Sequence, residues 1–376
     1  MSDHDSRGSH ESNPLDVVPM GGGIGGGMAH MEAAGAHEGV ENAIELKEVE
    51  GLSQGRIILR RFLHHRGAMI SLIILVALLL LAYSSIGFKV FGLQIPGWWK
   101  YQYTDITNNS NNLHPTLSLW PPRFGAHPFG QDEIGHDVFA ETMRGVQQSF
   151  MIIVVIGVVS TAIGVVVGAV AGYFGGLIDA LLMRLTDMFI IVPLIILAAV
   201  IGHYAAGAGP FVLAVLLGVL VWTSLARLVR GEVLTLRSRE FVEAAKVAGA
   251  SHRRIIFKHI LPNAAGVIIV SMTLTMAAAI LLEAALGYLG LGVQLPDISL
   301  GSLISTYESS FGTRPWLFWY TGTFILVIAL TVNFIGDGLR DAFDPRQRRK
   351  LSRRAKQEAS SSRPAALIET MNKAGQ

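Results

Sequence analysis

Glu243-Ala244-Ala245, Gly249 and Leu261-Pro262 fall within one basic stretch between two apolar segments, and their residue types suit mechanical work better than bond chemistry. Alanines and a glycine offer no nucleophile, acid or metal ligand. They leave a slim stretch of chain that another protein can grip. The chain also lacks the tools of several common chemistries. It has no G-x-x-x-x-G-K-[ST] phosphate loop and no Gly-Lys pair at all, so it is not itself an ATPase of that kind. It has no cysteine, which removes disulfides and thiolate metal sites. His4, His10, His30 and His37 are irregularly spaced and read as part of a solvated tail rather than a metal site.

The stretch around Glu243 predicts two short helices hinged at a glycine. Ser238 is placed to cap a helix from Arg239 to Ala248, with Glu240 and Glu243 near its positive end. Gly249 suits the left-handed position that ends helices. Ser251 is placed to cap a second helix from His252 to about Ile260, which Pro262 should stop. Ala244, Ala245, Ala248 and Ala250 keep the elbow slim, while Phe241, Val247, Ile255, Ile256 and Phe257 would give it apolar grip on a partner.

The elements that must position this elbow are membrane helices. Of the 376 residues, 51% are apolar and 15% charged, and the apolar ones are bunched. A helix of about 20 residues crosses a hydrocarbon core of roughly 30 Å. Six windows qualify, near 68–88, 149–172, 186–206, 210–230, 264–286 and 317–336. The expected fold is therefore an all-α membrane protein with six transmembrane helices. Residues 1–55 read as a disordered, Gly/His-rich tail and 56–91 as an interfacial helix plus the first span. Residues 92–148 form an insert large enough for a small folded cap. The five-helix core is expected over 149–340, including the loop 231–262, and a basic tail over 341–376. The first apolar run starts only after residue 67, so the first span is expected to stay in the mature protein rather than act as a cleaved signal. Lys and Arg number eight in 227–258 and eight in 340–356, against five in 88–149 and 287–316 together. By the positive-inside rule both termini and the elbow are cytosolic and the insert is extracytoplasmic.

Two helix features stand out. Ser160, Gly164, Gly168 and Gly172 recur every four residues, giving the second span a nearly bare face for close helix packing. Pro193 should kink the third span. Charges near the spans read mainly as structural: Arg184 and Asp187 are one turn apart and could pair, and Asp337, Arg340, Asp341, Asp344 and Arg346 brace the end of the last span. Glu283, near the outer end of the fifth span, is the best candidate for lining a path, because a charge inside the membrane is rarely idle.

The elbow closely resembles the cytoplasmic loop of bacterial ABC importer permeases, matching that pattern at Glu243, Ala244, Ala245, Gly249, Leu261 and Pro262. His259 replaces the usual Ile, and the wording His259-Ile260-Leu261-Pro262-Asn263 looks like the dipeptide/oligopeptide/nickel branch. The segments 127–145, 172–187, 283–292 and 333–346 are similar to others of that branch, although His136 stands where an Arg is usual. The resemblance implies a permease subunit of an ATP-driven importer, without its own ATPase site. ATP and magnesium would be bound by one or two cytosolic partner subunits. Glu243, Ala244, Ala245, Gly249, Ala250, Leu261 and Pro262 would couple to those subunits. Further implied partners are a second, related permease, an extracytoplasmic binding protein, membrane lipids and a peptide cargo, with no nucleic acid. Nickel, glutathione or another small solute is an alternative cargo. A proton-coupled secondary transporter is the rival class, disfavoured by sparse intramembrane acids and six spans.

Overall fold

The computed structural model describes residues 54–90, 93–108, 111–119, 122–205 and 207–343. The expectations for the N-terminal tail, for Asp344 and Arg346 and for the rest of the C-terminal tail lie outside the described residues. The chain divides after Ile57. Among the described residues the first unit holds only the opening of helix α1 (Gln54–His64), and every other element belongs to the second.

Helix α2 (Arg66–Ile86) starts where His65 accepts the N–H of Ala68 and corresponds to the first apolar window. Helix α3 (Val138–Phe174) has 37 residues, about 55 Å at 1.5 Å per residue, and so outruns the hydrocarbon core. Its first turns carry Glu141, Thr142, Arg144, Gln147 and Gln148, which is why its apolar window opens only near 149 while the helix begins at Val138. Asp137 caps it, accepting the N–H of Ala140 at 3.1 Å.

The next two windows are not simple spans. Helices α4 (Gly176–Ile191) and α5 (Leu194–Tyr204) meet at an 82° bend, and α6 (Pro210–Gly218) and α7 (Thr223–Leu236) at 43°. Pro193 sits at the first bend, as its missing N–H and fixed φ require. The break is far sharper than a kink, and residues 176–185, which precede the third apolar window, are helical. Helix α8 (Glu240–Val247) precedes α9 (His252–Tyr288), followed by α10 (Leu300–Glu308) and α11 (Pro315–Phe343). Among the described residues four helices, α2, α3, α9 and α11, are long and apolar enough to cross a membrane, and the number rises to six if each bent pair is one span.

The insert departs from all-α. It carries two antiparallel hairpins, β1 (Gly87–Val90) with β2 (Leu93–Pro96) and β3 (Ser118–Leu119) with β4 (Pro122–Arg123). Its chain is tied to the start of α3. Asp137, buried, accepts from Trp99 Nε1 at 2.7 Å and contacts His127 Nδ1 at 2.9 Å. Burial pushes its carboxyl above the ordinary range, against the pull of those two partners. Asp132 gathers the N–H groups of Ile134, Gly135 and His136 on one oxygen at 2.7–2.9 Å, and its other oxygen meets His136 Nδ1 at 2.8 Å. His136, standing where an Arg is usual, is held at this corner by Asp132.

The bare face of α3 packs on α7. A Cβ at Gly168 would lie 2.4 Å from Ala226 O and 2.9 Å from Val229 Cβ, and one at Gly172 would lie 2.8 Å from Arg230 O. Only glycine permits that approach. Gly338 of α11 likewise admits the Ala68 Cβ of α2, which a Cβ there would meet at 2.2 Å.

Candidate functional site

The elbow is built from α8, a tight turn and the start of α9. Residue Arg239, not Ser238, is the N-cap of α8, and it gives no side-chain bond. The Ser238 hydroxyl instead donates to Thr235 O at 3.0 Å, finishing the preceding helix. As an N-cap the hydroxyl would have accepted an N–H of α8; it donates instead to a carbonyl in the last turn of α7.

Gly249 has φ 76°, the left-handed value expected. Around it, Gly249 N–H donates to Lys246 O at 2.9 Å and Ala250 N–H to Ala245 O at 3.0 Å. Those two bonds are the Schellman pattern that closes a helix end, and Ala245 and Ala250, the residues flanking it, pack on one apolar cluster. Ser251 then caps α9 by accepting the Arg254 N–H at 3.4 Å.

Pro262 does not stop the second helix. From His252 the chain runs unbroken to Tyr288, through a π-helical turn at Ile255–Ile260 in which Leu261 N–H reaches back to Ile256 O. A wider turn just before the proline relieves the clash of its ring with the preceding carbonyls, and Pro262 then sits in the opening turn of the α-helical run, where its missing N–H does little harm. The elbow and the fifth apolar window are therefore one rod.

The elbow has two faces. Val242, Ile255, Ile256 and Ile260 are buried against Ala169 and Tyr173 of α3 and Leu225, Val229 and Val233 of α7. Ile255 and Ile256, expected to grip a partner, hold this chain's own core instead. Outward lie Glu243, Ala244, Gly249 and Pro262, together with Phe241, Val247 at 90% exposure and Phe257. Ala245, Ala250 and Leu261 are half-buried at the seam. Among the described residues the Glu243 side chain makes no ion pair or hydrogen bond.

Residues that sequence reasoning missed fasten the inner face. Tyr173 OH lies 2.8 Å from His252 Nδ1, and Arg237 Nη1 donates to Gly172 O at 3.0 Å, capping the end of α3. Arg230 grips Asp179 with two bonds, the longer 2.6 Å, and Arg227 pairs with Asp187 at 2.6 Å. The expected Arg184–Asp187 pair gives way to the latter. These arginines were visible only as members of the basic run.

Glu283 is 1% exposed, so it is covered rather than open to a path in this subunit. Its Oε2 accepts from the Ser149 hydroxyl at 2.9 Å, and that hydroxyl oxygen in turn accepts the Leu300 N–H at 3.1 Å, joining α9, α3 and α10. Asp341 meets His65 Nε2 at 3.4 Å, tying the end of α11 to the cap of α2.

The binding-protein-dependent transport system inner membrane component model matches residues 164–349, the region of the elbow and its supporting helices. The model for the N-terminal TM domain of oligopeptide transport permease C matches residues 53–115. The oligopeptide transport system permease protein OppC of Mycobacterium tuberculosis is 38% identical over 300 residues, 80% of this chain and 97% of that protein. The protein of the same name in Haemophilus influenzae is 35% identical over 311 residues, 83% of this chain and 94% of its own length. A putative peptide permease protein of Brucella ovis is 38% identical over 292 residues, covering 76% of this chain and 89% of that protein. Among solved structures, the inward facing MetNI methionine ABC transporter is a loose likeness, with a TM-score of 0.45 and 20% identity over 55% of this chain and 98% of that one. With near full-length relatives at this identity, the chain belongs to the family of binding-protein-dependent transport system inner membrane components.

Proposed function

We propose that the chain is the membrane-spanning permease subunit of an ATP-driven peptide importer, forming half of the translocation path. A second, related permease supplies the other half. One or two cytosolic subunits bind ATP and magnesium, and an extracytoplasmic binding protein delivers the peptide. Six spans with both termini and the elbow in the cytosol fit the distribution of basic residues. The names of the relatives support peptide as the cargo class.

The two-faced elbow carries this reading. Its outer face offers Glu243, Ala244 and Gly249 with little side-chain bulk, while its inner face is locked to α3 and α7 and its second arm continues into α9. Closure of the ATP-binding subunits would move the elbow as a unit, and three helices would have to follow it. That is a two-state element linking distant sites, with no reaction in this subunit. Glu283 would meet cargo only in a state where its contact with Ser149 opens.

The test is the complete complex in vesicles, assayed for ATP hydrolysis and peptide uptake. Ala244→Trp adds bulk to the outer face without touching the core. Assembly should persist while uptake falls and hydrolysis no longer responds to the loaded binding protein. Unchanged uptake would defeat the elbow as the coupling device. Uptake that survives ATP depletion but fails with a proton uncoupler would indicate a secondary transporter instead.

A further inference from the structure

Asp132 and His136 of the insert meet Glu141, in the first turn of α3, as three side chains of the kinds that bind metals. Each offers one donor atom, and these atoms all lie within 4.8 Å of one another. All three residues line a cavity of about 360 Å³ that Asp297 also borders and that has no Lys or Arg in its wall. The cavity leaves room for water as a fourth donor.

The protein's own donors occupy one oxygen of each carboxylate and leave the other facing the imidazole. Asp132 Oδ1 accepts the N–H groups of Ile134, Gly135 and His136, and Glu141 Oε2 accepts the Tyr307 hydroxyl. The remaining oxygens, Asp132 Oδ2 and Glu141 Oε1, stand 2.8 and 3.8 Å from the same atom, His136 Nδ1. A ring nitrogen carries at most one proton, so it serves Asp132. Glu141 Oε1 is left beyond hydrogen-bond reach, with no other hydrogen bond among the described residues. Yet Asp132 is only 9% and Glu141 8% exposed. Among the described residues neither pairs with a Lys or Arg, because Asp297 holds Arg144 and Glu133 holds Arg314.

Two covered carboxylates with one imidazole between them are short of positive charge, and burial makes the shortage costly. A divalent cation supplies it. Two donors on a tetrahedral zinc, bound at about 2.0–2.1 Å, stand roughly 3.3 Å apart. The observed 2.8 and 3.8 Å lie on either side of that value, so small side-chain shifts complete the site. The imidazole nitrogen favours zinc over calcium or magnesium, which take oxygen ligands. We propose that Asp132, His136 and Glu141 hold a zinc ion that clamps the insert to α3 and, through Tyr307, to α10. The clamp is separate from the elbow and does not rest on the peptide-importer reading.

The purified full complex is stripped with EDTA, freed of the chelator and titrated with zinc chloride in excess calcium, against a zinc-binding dye. Wild type should hold one zinc more than His136→Arg, which installs the residue usual at this place and replaces the ion's charge with a guanidinium. Zinc on the tail histidines or on partner subunits is common to both and cancels. Glu141→Gln can still accept the Tyr307 hydroxyl and should lose the same zinc. Tyr307→Phe removes only the group that orients Glu141 and should weaken zinc binding roughly 10–100-fold. Zinc should also raise the unfolding temperature of this subunit in wild type and leave it unmoved in both ligand variants. Either variant decides the count if the other fails to assemble. Equal zinc counts in wild type and an assembled ligand variant would overturn the site. Displacement of the zinc by calcium would overturn it too, by marking a site of oxygens alone.

Discussion

Tyr173, on the last turn of α3, and His252, the first residue of α9, lie 2.8 Å apart from hydroxyl to Nδ1, with their rings edge to face at 5.5 Å. The pair ties the elbow to a helix that is not its neighbour in sequence. Under the proposed coupling, force entering at α8 would reach α3 as well as α7 and α9.

Tyr173→Phe keeps the ring contact and removes the hydroxyl. A single such bond is worth about 0.5–1.5 kcal/mol, too little to dismantle the complex but enough to loosen a lever. The expected outcome is normal assembly with several-fold more ATP hydrolysed per peptide imported, measured on the same vesicles. An unchanged ratio would mean that α3 is a bystander.

Gly249 tests the hinge through backbone strain alone. A Cβ there meets nothing within 4 Å, so any penalty comes from φ 76° and not from crowding. Forcing an L-residue into that region costs roughly 1–2 kcal/mol, less for Asn. Gly249→Val should abolish uptake while leaving the complex assembled, and Gly249→Asn should retain most of it. Equal activity of the two variants would show that the left-handed turn is dispensable.

How much of this was legible in the sequence depends on whether the cause is local. Gly249 and Ser251 were readable because a left-handed turn and a cap are decided within a few residues. The stripe from Ser160 to Gly172 announced close packing, though not that α7 would fill it. Pro193 announced a break, but the residues around it did not announce an angle of 82°. Ile255 and Ile256 were misplaced because an apolar residue on a short helix does not say whose core it enters. Asp187 found Arg227 rather than Arg184 because α4 and α7 lie side by side, a pairing 40 residues apart in the chain.

Gly168 and Gly157 lie on the same helix and should respond differently to alanine. At Gly168 the new methyl would press on Ala226 O at 2.4 Å, a backbone atom of a packed helix that cannot step aside. At Gly157 it would meet the Met276 side chain at 2.5 Å, whose unbranched thioether can rotate away. Overpacking a close-fitted contact costs about 1–3 kcal/mol. Gly168→Ala should lower the unfolding temperature in detergent by several degrees, and Gly157→Ala by clearly less.

Arg230 and Asp179 offer the sharpest separation of geometry from charge. The guanidinium meets both carboxylate oxygens, holding α4 against α7 just inside the elbow, with the Asp179 side chain 16% exposed. Lysine keeps the positive charge but cannot form the two parallel bonds. Were the pair a simple attraction of charges, Arg230→Lys would be mild. With the fork as the working feature, Arg230→Lys should destabilise the subunit nearly as much as Arg230→Gln. Asp179→Asn should add little on top of either, because the contact it belongs to is already gone. A double-mutant cycle on detergent-solubilised complex measures that coupling directly, and additive losses would show that the two side chains act independently.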